Sequence, residues 1–187
     1  VAGLNDVVRG EETLLAGWLQ QPTDSEAVFC LPGTHSKWIV AREGQVNQLT
    51  TFMTGELFEL MRTRSILAPL IDSQAVADSK SDIFSKGLTL AQSPAGLLHQ
   101  MFAIRAGALT GQFAKSDVLT LLSGVLVGAE CLAVKSLVQN RSVTLMSSGD
   151  LKQTYQNAFE HFGFVFNVAD SEQAAQKGLF SIFNQIQ

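Results

Sequence analysis

The sequence predicts an α/β domain: a mixed five-stranded sheet with helices on both faces and a helical insertion. Three observations carry this reading. Three short β-type runs crowd residues 28–52, a long and mostly helical stretch follows, and the final part alternates strand, helix, strand and helix. Residues 28–31 and 38–40 are apolar runs flanking the turn Pro32-Gly33-Thr34-His35-Ser36-Lys37, which reads as a hairpin. Arg42-Glu43-Gly44 signals a second turn, and residues 45–52 are rich enough in β-branched and apolar side chains for a third strand. Residues 143–146 form a β run ended by Ser147-Ser148-Gly149-Asp150. A helix over 151–162 places Leu151, Tyr155, Ala158, Phe159 and Phe162 on its apolar positions. Gly163 stops it, residues 164–168 make another strand, and the chain closes on a helix from Ser171 to Ile186.

Composition bounds the possibilities. With 187 residues, 46% hydrophobic and 16% charged, the chain suits one large domain or a domain with a helical insertion, and it is not disordered. A net charge of −4 and 13 scattered Lys and Arg residues argue against a nucleic-acid-binding module. The most apolar stretch, 118–138, is interrupted by Ser123, Gly124, Gly128, Glu130, Lys135 and Ser136, so it reads as a buried core helix and not a membrane span. Gly124 and Gly128 share one face of that helix, where a close approach by a neighbouring backbone is expected. Cys30 and Cys131 read as small buried hydrophobes in a reduced, cytoplasmic setting. His35, His99 and His161 have no metal-ligand spacing, which leaves no expected metal site; His161 suits a helix C-terminus, and His99 a surface or packing role. Residues 68–96, punctuated by Pro, Asp and Ser, link two helical layers. The last helix carries Ala174, Ala175, Gly178, Leu179, Ile182 and Ile186 as a stripe expected to face the sheet.

Three clusters carry candidate chemistry. In the first hairpin turn, Gly33 lets a backbone approach an anion, Thr34 and Ser36 supply hydroxyls, Lys37 supplies charge, and consecutive N–H groups can form an anion-binding concavity. An ordinary polar hairpin turn is the plainer alternative. Upstream, Asp6, Arg9, Glu11 and Glu12 precede the apolar helix of residues 14–19. Glu11 and Glu12 suit a helix N-terminus on electrostatic grounds alone, whereas Asp6 and Arg9 lie outside it. A hydroxyl-phosphorylating enzyme needs a carboxylate to accept the alcohol proton and cations to hold the phosphoryl group, and this cluster offers both. After the third strand, Thr54, Gly55 and Glu56 open a helix. Thr54 is expected as its N-cap, and all three are candidates to hold a polyol or carboxylate, with Arg62 or Arg64 beyond them.

The element order is that of the half-domain shared by actin, the Hsp70 ATPase and the sugar kinases, the actin-like (ribonuclease H-like) ATPase fold. More specifically, Asp6-Val7-Val8-Arg9-Gly10-Glu11-Glu12-Thr13, Leu31-Pro32-Gly33-Thr34-His35-Ser36-Lys37-Trp38 and Met53-Thr54-Gly55-Glu56-Leu57, followed by Ser65-Ile66-Leu67, resemble the C-terminal part of the 2-dehydro-3-deoxygalactonokinases. The likeness continues through residues 122–130 and 143–159. The resemblance implies ATP and Mg²⁺ as cofactors, and a sugar acid, 2-dehydro-3-deoxy-D-galactonate, phosphorylated at its 6-hydroxyl in galactonate breakdown. With composition expecting no nucleic-acid or membrane partner, a homodimer is left open.

By the same resemblance Asp6, Arg9 and Glu11 are catalytic candidates. Gly33, Thr34, His35 and Lys37 would form the phosphate turn, Ser147, Ser148 and Gly149 the adenosine-side turn, and Thr54, Gly55 and Glu56 the substrate contacts. The choice of proton acceptor stays between Asp6 and Glu11, with a lean to Asp6. Kinases of this superfamily open with an Asp-x-Gly-(Ser/Thr)-Thr turn, and nothing of that form precedes Asp6. Residues 1–187 are therefore expected to be a C-terminal kinase domain with a helical insertion at 56–139, inactive or nearly so by itself. A non-catalytic nucleotide-binding or scaffolding module of the same fold is the alternative class.

Overall fold

A computed structural model describes residues 5–18 and 26–186 of the chain. Among them are seven α-helices and five strands. In order these are α1 (Glu11–Trp18), β1 (Ala27–Leu31), β2 (Ser36–Arg42), β3 (Gln45–Phe52), α2 (Thr54–Arg64), α3 (Asp82–Ala91), α4 (Gly96–Leu109), α5 (Val118–Val138), β4 (Val143–Met146), α6 (Gly149–Phe162), β5 (Phe166–Ala169) and α7 (Ser171–Ile186). Leu19, expected in the first helix, lies outside the described residues.

The strands form one mixed sheet in the order β3-β2-β1-β4-β5. The β1–β2 and β2–β3 pairs are antiparallel, while β1–β4 and β4–β5 are parallel. Glu43 and Gly44 join β2 to β3 with φ of 52° and 73°, both positive, as a tight two-residue hairpin requires. Alternation along each strand sends side chains to two separate cores. Val28, Cys30, Trp38, Val40, Val143 and Leu145 pack under α3, α5 and α6. Phe29, Leu31, Ile39 and Met146 pack under α1, where Trp18 meets Phe29 edge-on at 6.0 Å. A third cluster lies among the helices, with Ile104, Val118, Leu121, Leu122 and Val125 at its centre.

The buried reading of α5 holds: the helix is long and apolar enough to cross a bilayer, but most of it is enclosed by protein. Its glycine face also acts as expected. A Cβ at Gly124 would lie 2.5 Å from the Phe84 carbonyl oxygen and 2.9 Å from the Gly87 Cα, so α3 and α5 touch through backbone. Both cysteines are buried free thiols.

Two expectations need correction. The last strand starts at Phe166, not at 164. Gly163 takes a left-handed φ of 71°, and the Phe164 N–H donates back to the Phe159 carbonyl, so residue 164 belongs to the helix cap. The apolar stripe on α7 does not face the sheet. Leu179 is 61% exposed, while Ala174 and Gly178 are buried against α1; a Cβ at Gly178 would lie 1.9 Å from the Thr13 carbonyl oxygen. The small residues serve a helix crossing. The side chains of Ile182 and Ile186 lie outside the description.

Candidate functional site

The turn between β1 and β2 lies where two cavities meet. One, of about 420 Å³, is lined by Arg9, Glu11, Gly33, Thr34, Lys37 and Ser148 among others. The second, about 230 Å³ and more apolar, lies between α2, α5 and α6, with Phe58, Val76 and Leu126 in its wall. Gly33 and Leu151 border both, which explains why Leu151, expected in the core of α6, is 45% exposed.

Around the turn, the backbone N–H groups of Gly33, Thr34 and His35 have no partner among the described residues, and they sit beside the first cavity. The N-terminus of α6 borders the same space through Ser147 and Ser148, and Ser148, its cap residue, makes no side-chain capping bond. Open N–H groups at a turn and a helix N-terminus both favour a negative ligand. Gly149 takes a φ of 58° at the start of α6 and borders a neighbouring polar cavity beyond Ser147 and Ser148.

Lys37 is not the solvent-facing turn residue that its sequence context suggests. It belongs to β2, its side chain is only 6% exposed, and its Nζ donates to Glu11 Oε1 and to the His35 carbonyl, both at 3.0 Å. Partial burial acts to raise the Glu11 carboxyl. The Arg9 N–H at 2.6 Å and the Lys37 ammonium outweigh it and hold the group below its usual value. Ser36, expected to offer a hydroxyl to the turn, is fully buried and points to the opposite face of β2.

Asp6 is held on β3, at the residue that pairs with Lys37 across the sheet. Its carboxylate accepts the N–H and hydroxyl of Thr51 on β3, at 2.8 and 2.7 Å, and the Val7 N–H at 2.8 Å. Burial raises its pKa, but these donors, with the nearby Lys37 ammonium, prevail and hold it below the usual value. It does not line the cleft, whereas Glu11 does. The sequence could not separate the two, because the distance from Asp6 to the turn depends on a pairing with β3 that residue spacing does not reveal.

Thr54, Gly55 and Glu56 are brought to the turn and support it, and Thr54 and Gly55 also line the second cavity. Thr54 is not the cap of α2; Met53 occupies that position, and the Thr54 hydroxyl donates to Glu130 instead. A Cβ at Gly55 would lie 2.5 Å from the Gly33 carbonyl oxygen. The Glu56 N–H donates to the Thr34 carbonyl at 2.9 Å, and its carboxylate meets His35 Nε2 at 2.6 Å.

Sequence reasoning missed Glu130, noting it only as a break in an apolar run. It is 2% exposed and accepts hydrogen bonds from Ser36, Trp38, Thr54 and Tyr155. A lone carboxylate inside a 21-residue buried helix was itself a signal, since such groups are retained only with partners.

An open turn set against a helix N-terminus on an α/β sheet is an arrangement that favours a negatively charged ligand. The chain belongs to the 2-keto-3-deoxy-galactonokinase family, whose model matches residues 1–182. It is 32% identical over 183 residues to the 2-dehydro-3-deoxygalactonokinase of Escherichia coli K12, covering 97% of this chain and 61% of that protein. It is 34% identical over 178 residues to a Rhizobium meliloti 1021 protein of the same name, covering 93% of this chain and 58% of the relative. A crystal structure from Sinorhizobium meliloti, described as a 2-dehydro-3-deoxygalactonokinase, superposes with a TM-score of 0.88 at 33% identity, over 97% of this chain and 59% of that one. The chain thus spans about three fifths of the length of the relatives it matches.

Proposed function

We propose that the chain is the C-terminal, actin-like domain of a sugar-acid kinase that transfers the terminal phosphoryl group of ATP to the 6-hydroxyl of 2-dehydro-3-deoxy-D-galactonate in a cytoplasmic catabolic route. One observation carries the reading: an open turn, a helix N-terminus and a Lys37–Glu11 pair share a single cleft, and that cleft joins an apolar cavity at Gly33. The adenosine occupies the apolar cavity and the phosphates run over Gly33, Thr34 and His35 toward Lys37. The helices between β3 and β4 form the insertion that walls the cavity.

Glu11 is the better candidate for proton acceptor. It is ionised, it borders the cleft, and its Lys37 partner would be shared with an arriving phosphate, which frees one carboxylate oxygen for the sugar hydroxyl. Thr54, Gly55 and Glu56 act through the turn, so the sugar-acid contacts fall to Arg9 and to residues beyond this chain. Among the described residues no three carboxylate, imidazole or thiol groups converge as a metal site. A Mg²⁺ ion accompanying the nucleotide would be held by phosphate oxygens, and no step is assigned to it.

The test is ADP release by the full-length enzyme with 2-dehydro-3-deoxygalactonate. ATP-dependent formation of the 6-phosphate, lost in Glu11→Gln, is the expected outcome. Nucleotide binding without turnover on any sugar acid would instead assign the chain to the non-catalytic class.

A further inference from the structure

We propose that Glu130 is a positioning residue for the nucleotide: from the middle of α5 it locks the phosphate turn, the start of α2 and the body of α6 into one frame. The inference rests on the nucleotide reading above. Glu130 Oε1 accepts from Ser36 Oγ at 2.6 Å and Trp38 Nε1 at 2.7 Å, both on β2 immediately after the turn. Oε2 accepts from Tyr155 Oη at 2.8 Å on α6 and from the Thr54 hydroxyl at the first residue of α2. Two of those elements, α2 and α6, line the apolar cavity, through Thr54, Gly55 and Phe58 on one side and Leu151, Thr154 and Tyr155 on the other, while the turn before β2 borders it at Gly33. One buried group therefore sets the distance between the two cavity walls and their offset from the turn.

The type of contact matters. Apolar packing tolerates small sliding, whereas four donors converging on two oxygens fix both separation and angle. Thr54 is the most consequential of them. Immediately after it, Gly55 packs against the Gly33 carbonyl and the Glu56 N–H binds the Thr34 carbonyl, so a shift in the seating of α2 is transmitted directly to the phosphate turn. Burial, and then the Glu130 charge, push the Tyr155 hydroxyl well above its usual pKa, so it remains a donor throughout the working range of an enzyme. No lysine or arginine among the described residues pairs with Glu130, and neutral donors alone surround it.

The experiment uses the full-length enzyme and compares Thr54→Val, which keeps shape and removes the hydroxyl, with Thr54→Ser, which keeps the hydroxyl. ATP affinity is measured by calorimetry with a non-hydrolysable analogue, and steady-state constants are measured for both substrates. Thr54→Val is expected to weaken analogue binding and raise the KM for ATP on the order of tenfold, with the sugar-acid KM unchanged, and Thr54→Ser to restore both. Glu130→Gln provides a second reading that retains the fold. Its amide oxygen still accepts from Ser36 and Trp38, but its NH₂ cannot accept from the Thr54 and Tyr155 hydroxyls, so the seating of α2 and α6 loosens and the ATP KM rises while the protein stays folded. Lower melting temperatures in Thr54→Val and Glu130→Gln, with wild-type nucleotide constants below the melt, would reduce Glu130 to core packing and overturn the proposal. Failure of the wild-type enzyme to bind the analogue at all would overturn the nucleotide reading itself, and this inference with it.

Discussion

A side chain at position 33 would meet nothing closer than the His35 carbonyl oxygen at 3.9 Å, and the backbone there is not left-handed. Gly33→Ala is therefore expected to fold as well as the wild type, or to gain up to about 1 kcal/mol from a less flexible unfolded chain. Its methyl group would enter the space that both cavities border and weaken ATP binding; melts run beside the ATP KM check this, and early melting with normal binding would make the glycine structural. Lys37 behaves differently because it is buried. Lys37→Ala strands a partly enclosed Glu11 carboxylate and should lose roughly 1–3 kcal/mol of stability together with turnover. For the proton acceptor, Glu11→Gln should lower kcat by a factor on the order of 10² to 10⁴, while Asp6→Asn should act mainly on stability through its bonds to Thr51. The acid side follows from the direction of the Glu11 shift. Its folded value lies below the ordinary 4.5, so its contribution to stability is complete above that pH and is lost as the pH falls through the folded value. Wild-type melting temperature should drop in that window, and the drop should be shallower in Glu11→Gln.

At the scale of elements, α1 carries Glu11 but is only eight residues long, too short to hold its place by helix propensity alone. The crossing with α7 supplies the rest. A Cβ at Gly17 would lie 2.0 Å from the Ala174 carbonyl oxygen, and one at Gly178 would lie 1.9 Å from that of Thr13, so the two backbones are in direct contact. Gly178→Ala must push α1 outward, at a cost of about 1–3 kcal/mol, and displace Glu11 from Lys37. The expected signature is a fall in kcat with little change in analogue binding. A variant that is destabilised yet retains wild-type kcat would show that α1 tolerates the shift. Similar close approaches at Gly124 and Gly128 hold α5 to α3, and were foreseeable because glycines inside a long apolar helix carry a cost that only close approach offsets.

Across the molecule, elements whose patterns are local were legible: the hairpin turns, the buried α5 and the Gly163 stop all follow from short-range rules. The parts of the site that were not legible depend on contacts distant in sequence. Glu130 reaches Ser36 and Trp38 over more than ninety residues, and the bond between Asp6 and Thr51 crosses from a loop to a strand; neither has a spacing signature. Lys37 reads as a turn residue for a related reason, but the turn ends at His35, two residues earlier than its polar sequence suggests, and alternation along the strand then turns the side chain inward. Because about two fifths of the relatives' length has no counterpart here, the 187 residues alone are expected to bind the ATP analogue yet phosphorylate the sugar acid at least ~10³-fold more slowly than a full-length enzyme, positioning of both partners being most of the catalysis. Comparable turnover by the two would contradict this.

The parallel contact between β1 and β4 has a consequence for biosynthesis. Cys30 pairs with Leu145, and all of α2 to α5 must leave the ribosome between them. At about 5–20 residues per second the β1–β3 meander waits several seconds or more with one edge of β1 unpaired and apolar. An exposed strand edge of that kind invites pairing with another nascent chain. Chaperone demand should therefore peak while α2 to α5 are being translated and subside once β4 and β5 close the sheet, so synonymous codons that slow the ribosome before residue 143 should increase aggregation without altering a single contact in the finished protein.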